Sequence, residues 1–261
     1  MAFHELWEER FELAPGKWVF VPSAESRERG ERITSKIKEK WQAPAYFYHC
    51  HQGGHVRALK QHLANTHFCC VDIESFFKSI NLSRVTRALK QYFGYEVARE
   101  FARDSVIRLV GDVDSQYILP FGFVQSPIIA SVCLDQSALG RVLHELASKP
   151  DITVSVYVDD IILSGSDPYR LQQEFESIKA AADRSGWKVS ASKTQPPGEQ
   201  ILSFNIYLSQ GNLTISSERM GLFVDAYLQA TSDHQKEGML RYIRSINAAQ
   251  ATFFEVMDAH P

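Results

Sequence analysis

The sequence predicts an α+β fold, an antiparallel sheet with helices packed against one face, on three observations. Segments of strand and helix character interleave without the regular βαβ rhythm of a parallel sheet. The β-branched run Ile152–Val158 leads through Asp159-Asp160 into a second apolar run, Ile161–Ser164, which reads as a hairpin with two carboxylates at its tip. The 261 residues, 44% hydrophobic and 23% charged, can bury a substantial core, which excludes a disordered, collagen-like or disulfide-scaffold chain.

Residues 1–24 form an N-terminal extension. Its start, MAFHELWEERFEL, alternates apolar residues with four glutamates and an arginine, which is neither a signal nor a transit peptide. Residues 25–41 read as a helix with Ile33 and Ile37 on a narrow apolar stripe. Ala45–Cys50 reads as an aromatic strand ending before Gly53-Gly54, Val56–Leu63 as a helix, and His67–Ile73 as a buried strand. Asn81-Leu82-Ser83 starts a helix whose amphipathic run Arg84–Phe93 is stopped by Gly94, and another helix fills Glu96–Leu109. Tyr117–Phe121 is short and extended. Pro127 then opens one long helix through about Leu146. After the acidic hairpin, Pro168–Arg184 is a helix ending at Gly186. Trp187–Ser190, Ile201–Leu208 and Leu213–Ser216 are strands, Pro196-Pro197-Gly198 is a breaker-rich connection, and 217–257 is helical.

No uninterrupted apolar stretch approaches the roughly 18 residues that span a bilayer, so a cytoplasmic protein with no membrane partner is expected. Cys50, Cys69, Cys70 and Cys133 show no C-x-x-C spacing and are expected to be reduced and mostly buried. The net charge of −3 argues against a protein that coats nucleic acid by bulk electrostatics. Two segments nevertheless lean basic: residues 25–40, with six basic against four acidic side chains, and 78–110, with seven against three. Solvated helix faces are the plainer reading of both.

The chemistry is concentrated in carboxylates. Asp72 ends an apolar strand, and Asp159 and Asp160 sit side by side between apolar strands, where adjacent negative charges repel unless a cation neutralises them. A third carboxylate from a neighbouring strand completes an oxygen cage suited to Mg²⁺, which keeps its remaining positions for water and substrate phosphates. Two such ions about 3.5–4 Å apart can activate an attacking hydroxyl and stabilise a leaving phosphate oxygen. The implied reaction is phosphoryl or nucleotidyl transfer, although on carboxylates alone a polar turn and a strand-end cap remain open.

FCCVDIESFF, LPFGFVQSP, VYVDDIIL, GWKVSASKT and SFNIYLSQGNLTI occur in the order and approximate spacing of the palm motifs of reverse transcriptases. Over roughly residues 25–216 the chain resembles a compact bacterial reverse transcriptase, similar to retron, group II intron and defence-associated enzymes. The resemblance implies a right-hand polymerase with fingers and palm over 25–216 and a short helical thumb over 217–261. Such an enzyme is an RNA-directed DNA polymerase, using two Mg²⁺ with Mn²⁺ as a possible substitute.

It further implies that Asp72, with the Ile73 carbonyl, and Asp159 ligate the metals with Asp160 close by, and that Phe77 is the aromatic gate excluding a 2′-hydroxyl. Phe121, where relatives often carry glutamine, lies at the nucleotide together with Gly122, which admits close backbone approach, and Gln125. Ser126 faces the template. Lys193, three residues after Ser190, resembles the lysine that serves the pyrophosphate leaving group. Arg27, Arg29, Arg32, Lys36 and Lys38 are candidates for the grip on triphosphate and template, and Phe204, Asn205 and Tyr207 resemble the primer grip. Arg241 and Arg244, flanking Tyr242, suit a primer–template groove or packing within the thumb.

The implied partners are an RNA template, the DNA product and dNTPs. A structured non-coding RNA, a partner protein or self-association would supply processivity, and the biological setting would be antiviral defence. Three other functions stay open. One is a nucleic-acid-binding subunit that has kept the fold. Another is a polymerase that is template-independent or primed from a protein hydroxyl such as Tyr92, Tyr169, Tyr227 or Tyr242. The last is a nucleotide-cyclase type of palm, which would have no use for LPFGFVQSP or Phe77. His49, Cys50, His51 and His55 have a spacing able to hold zinc, but a structural or nucleic-acid-facing role is favoured.

Overall fold

The computed structural model describes residues 6–109 and 117–259. The chain begins with a hairpin, β1 (Trp7–Ala14) and β2 (Lys17–Pro22), where the sequence suggested only an extension. Its turn is Pro15-Gly16, with Gly16 at φ 76°, the residue pair that a type II turn requires. Helix α1 (Ala24–Lys40) follows, capped by the Ser23 hydroxyl. Residues 45–50 are not a strand. Phe47 makes a single bridge to Val156, and Tyr48–Cys50 is one 3₁₀ turn, because this aromatic segment wedges its rings into the core instead of extending a ladder. Helix α2 (Gly54–Lys60) precedes the central strand β3 (His67–Asp72).

Helix α3 (Leu82–Phe93) has the expected Asn81 cap and Gly94 stop. Its neighbour α4 (Tyr95–Arg103) is shorter than the apolar pattern suggested, since Ile107 and Arg108 form strand β4 against β5 (Tyr117–Ile118). The long helix expected after Pro127 is two: α5 (Ser126–Asp135) and α6 (Ala138–Ala147). Ser137 breaks it by capping the second, its hydroxyl accepting the Gly140 N–H at 3.0 Å.

Strands β6 (Ile152–Tyr157) and β7 (Asp160–Gly165) form the hairpin, and α7 (Pro168–Arg184) follows with Asp167 as its cap. Trp187–Ser190 is not a strand and contributes one bridge, Val189 to Ile73. The Pro-Pro-Gly segment is instead strand β8 (Gln195–Gly198), at the sheet edge where missing N–H groups are tolerated. Ile201–Leu208 folds as two strands, β9 (Gln200–Ser203) and β10 (Ile206–Ser209), and β11 (Asn212–Ile215) completes a small sheet. Helices α8 (Ser217–Leu228), α9 (Asp233–Ile246) and α10 (Ala248–Ala259) end the described chain. No described helix is long and apolar enough to cross a membrane.

The central antiparallel sheet has the order β6-β7-β3-β8. Because side chains alternate along a strand, its two faces have separate cores. Cys69, Val71, Ile161 and Leu163 pack with helices α1 and α3 to α7, while Phe68, Cys70 and Ile162 pack with α2, the small sheet and the last three helices. Both faces are therefore covered, where the sequence suggested one.

Candidate active site

Asp72, the last residue of β3, pairs across the ladder with Asp160, the first of β7. Alternation puts both on the Cys70 and Ile162 face, the side away from α3, α5, α6 and α7. The β6–β7 register pairs Tyr157 with Asp160, so the two-residue tip is Val158-Asp159 and not Asp159-Asp160. Asp160 thus stands on a strand, with the geometry of a ladder residue. The Ile73 N–H donates to the Asp159 carbonyl at 3.1 Å, which ties the tip to the end of β3.

Asp72 is only 4% exposed, and the Lys193 ammonium donates to its Oδ2 at 3.1 Å. The Ser190 N–H donates to the Asp72 carbonyl at 2.9 Å, so the segment carrying Lys193 is hung from β3 itself. Burial, and then the charges of Asp159 and Asp72, push the Asp160 carboxyl up to about 7. Burial also raises Asp159; its own backbone N–H opposes the rise, Asp72 adds to it, and the ammonium groups of Lys193 and Lys17 counter it. The hydrogen bond to Asp72 is the main reason that Lys193 is raised.

Three desolvated, mutually repelling carboxylates are the donor chemistry that a hard divalent cation needs. Among the described residues no group of three or more His, Cys, Asp or Glu side chains is placed to hold a metal ion by itself. Mg²⁺ does not require one, since it is commonly held by one or two carboxylates plus substrate phosphates. The residues fit such an ion as an open half-site that a substrate would complete.

The tip is held from behind by His49. The Val158 N–H donates to His49 Nδ1 at 3.0 Å, so the neutral ring carries its proton on Nε2 and donates to Ser131 Oγ at 2.7 Å. The Ser131 hydroxyl in turn donates a hydrogen bond to the Pro127 carbonyl at 2.8 Å. Burial lowers His49 to about 4, which keeps the ring neutral and this relay intact. His51 and His55 go elsewhere, to the Pro44 carbonyl and the Tyr242 hydroxyl, so the histidines do not form one metal site.

Phe77 is buried in a 3₁₀ turn after β3, its ring centroid 4.4 Å from that of Phe121. The Phe20 N–H donates to the Phe121 carbonyl at 2.9 Å, so the N-terminal hairpin forms one wall of this corner. Gly122 has φ 101°, and a Cβ there would collide with the Phe20 carbonyl oxygen. The close approach that demands glycine is thus to β2, where a nucleotide was expected. Gln125 and Ser126 also depart from expectation. Both are fully enclosed and so are not exposed to a nucleotide or template surface: the Gln125 amide donates to the Asp104 carbonyl at the end of α4 at 3.1 Å and packs against Gly30 of α1, and the Ser126 hydroxyl is buried without a hydrogen-bond partner among the described residues.

Sequence reasoning missed Lys17. Its ammonium lies 4.9 Å from the Phe121 ring centroid and is near enough to Asp159 to lower its carboxyl. The Pro15-Gly16 turn between alternating segments was the available signal. Among the predicted grip residues, Arg29 is taken up by Glu25 at 2.6 Å and Asp104 at 3.3 Å.

Phe204 and Asn205, at φ 54° and 59°, are the two turn residues between β9 and β10, a type I′ geometry. The Phe204 ring meets Tyr157 edge-on at 5.3 Å and His55 at 5.2 Å, which seats this turn against the acidic β6–β7 hairpin. Asn205 is exposed. On α9, Arg241 and Arg244 are exposed, Arg241 pairing with Glu237 at 2.9 Å, while Tyr242 turns inward to His55.

A family model described as reverse transcriptase (RNA-dependent DNA polymerase) matches residues 21–201. The chain is 29% identical over 130 residues to the Gag-Pol polyprotein of Rous sarcoma virus subgroup C (strain Prague), covering 49% of this chain and 7% of that one. The Gag-Pol polyprotein of avian leukosis virus subgroup A (isolate RSA) matches with the same identity and coverage. The chain therefore spans under a tenth of the curated relatives it matches. The foamy viral protease-reverse transcriptase dRH in complex with double-stranded DNA superposes with a TM-score of 0.50 at 17% identity, over 90% of this chain and 35% of that chain. At that identity the likeness shows the fold, the α+β fingers-palm arrangement with antiparallel sheets. With the family model covering well over half of its length, the chain belongs to the reverse transcriptase (RNA-dependent DNA polymerase) family.

Proposed function

We propose that this chain is an RNA-directed DNA polymerase that joins the 3′-hydroxyl of a primer to the α-phosphate of a dNTP and releases pyrophosphate. The observation that carries the proposal is the Asp72–Asp160 ladder pair with Asp159 beside it and Lys193 on Asp72. Asp72, Asp159, Asp160 and the Ile73 carbonyl would hold two Mg²⁺, with Mn²⁺ as a substitute. When bound, such ions lower the pKa of the attacking hydroxyl and neutralise charge on the leaving oxygen.

The protein's own contribution is placement and charge. Buried Phe77, braced by Phe121, presents a rigid ring that would exclude a ribose hydroxyl by a clash. Lys193, whose ammonium is already on Asp72, is assigned to the departing pyrophosphate, and Lys17, whose ammonium lies over the Phe121 ring and whose charge reaches Asp159, to the triphosphate. Phe204, Asn205, Arg241 and Arg244 are assigned to the primer–template, with RNA template and DNA product as partners.

The motif resemblance supports a finer placement among compact bacterial, defence-associated reverse transcriptases acting in the cytoplasm with a dedicated structured RNA, a partner protein or a second copy. Sequencing the nucleic acid that copurifies from the host addresses that placement. The activity is tested by extending a primer on an RNA template while omitting each dNTP in turn. Arrest at the position of the missing base, and loss of extension with a chelator, are expected. Extension that ignores template sequence would overturn the reading.

A further inference from the structure

Helix α3, the α5–α6 junction and the end of α7 enclose a cavity of about 370 Å³ into which Arg84, Arg87, Lys90, Arg141 and Arg184 project. Arg84 also borders an adjoining cavity of about 550 Å³ that extends to Lys78. No carboxylate lines either cavity. We propose that the two together form a groove that binds the phosphodiester backbone of a nucleic-acid strand, separate from the catalytic cleft.

Charge is the first argument. A chain of net charge −3 places six cationic side chains along one groove, and none of Arg87, Lys90, Arg141 and Arg184 has an ion-pair partner among the described residues. Like charges so gathered repel, and a polyanion relieves the repulsion. The groove is also built in advance. Arg84 donates to the Ser185 carbonyl at 2.8 Å and lies 4.6 Å over the Trp187 ring, so the wall shared by both cavities is fixed. The N-terminus of α6 opens here at Ser137 and adds its positive dipole end.

Position separates this groove from the reaction. Its Arg87, Lys90, Arg141 and Arg184 end lies in the helical layer that packs on Cys69, Val71, Ile161 and Leu163, whereas Asp72 and Asp160 stand on the opposite face of the sheet; its other end reaches the Phe77 corner, where the Lys78 ammonium donates to the Gly16 carbonyl at 2.7 Å. Two neighbouring cavities that share Arg84 and are lined by six cationic side chains suit a run of phosphates better than a single anion or an apolar ligand. The charge and placement of this groove are independent of polymerase activity.

The test combines Arg87→Gln, Lys90→Gln, Arg141→Gln and Arg184→Gln in the full chain and measures binding of a short single-stranded RNA across a salt series. Four lost phosphate contacts at about 0.7 each predict a log K against log[salt] slope shallower by about 3. Arg87→Lys with Arg141→Lys and Arg184→Lys should keep the wild-type slope, and single-nucleotide extension of a pre-annealed duplex should be unchanged. Equal slopes for wild type and the glutamine variant would overturn the proposal. So would inorganic tripolyphosphate binding that the variant loses while its RNA binding is intact, since that would mark a site for free polyphosphate. Should the variant not fold, crosslinking wild type to the RNA decides: adducts on α3 and α6 are expected, and adducts confined to the cleft would contradict it.

Discussion

Val158 is β-branched yet holds φ at 60°, a conformation that costs on the order of 1–3 kcal/mol and persists only where its surroundings impose it. The His49 ring imposes it by accepting the Val158 N–H, and so fixes the direction of Asp159 and Asp160. His49→Ala should lower kcat about 10- to 100-fold, since misplacing reacting groups by about 1 Å costs that much, with KM for dNTP little changed; steady-state extension kinetics check this. Phe77→Val should raise ribonucleotide incorporation relative to deoxynucleotide by about 10-fold or more, the scale of a lost packing contact of 1–3 kcal/mol, read from competition between the two triphosphates. The carboxylates were legible in the sequence because charge between apolar strands is rarely placed without a use. The task of His49 was not, because its partner lies 109 residues away and the pairing exists only after β6 and α5 have packed.

Elements whose signals are local were read well. Helix α3 announces its own ends through Asn81 and Gly94, β3 carries the apolar run Phe68–Val71, and β6 is β-branched at Ile152, Thr153, Val154 and Val156. Elements that depend on neighbours were not. Strand β8 exists because β3 offers an edge to a segment whose prolines forbid a central position, and β9 and β10 divide at Phe204-Asn205, a turn that lacks the usual glycine. The α5–α6 break was carried by one serine inside an amphipathic run. Ser137→Ala should therefore lower unfolding free energy by about 1 kcal/mol, the typical worth of an N-cap, in a denaturant titration. A larger loss with altered helix content would mean that the break has another cause. The N-terminal hairpin had a local signal in Pro15-Gly16, and through it Lys17 joins the site.

At the scale of the molecule, the central sheet divides labour between its faces, helices on one side and carboxylates with the small sheet and terminal helices on the other. On that second face His62 is fully buried between Ser164 Oγ at 2.7 Å and Ser155 Oγ at 2.8 Å, tying the segment after α2 to β7 and β6. Burial lowers it from 6.5 to about 3, so the unfolded chain takes up a proton that the folded chain refuses. Its contribution is therefore complete above pH 6.5 and is lost as pH falls toward 3, at up to about 1.4 kcal/mol per pH unit. His62→Gln should flatten that acid limb in denaturant titrations run across pH; an unchanged limb would assign it to other groups. The central claim is that Asp72, Asp159 and Asp160 concentrate negative charge for catalysis at the expense of stability. Asp159→Asn tests it most directly, with primer extension on an RNA template and the thermal midpoint in chelator measured on the same preparation. The account predicts that extension falls about a thousandfold or more, equivalent to about 4 kcal/mol, while the midpoint is equal or higher; extension close to wild type, or a midpoint clearly lowered, would contradict it.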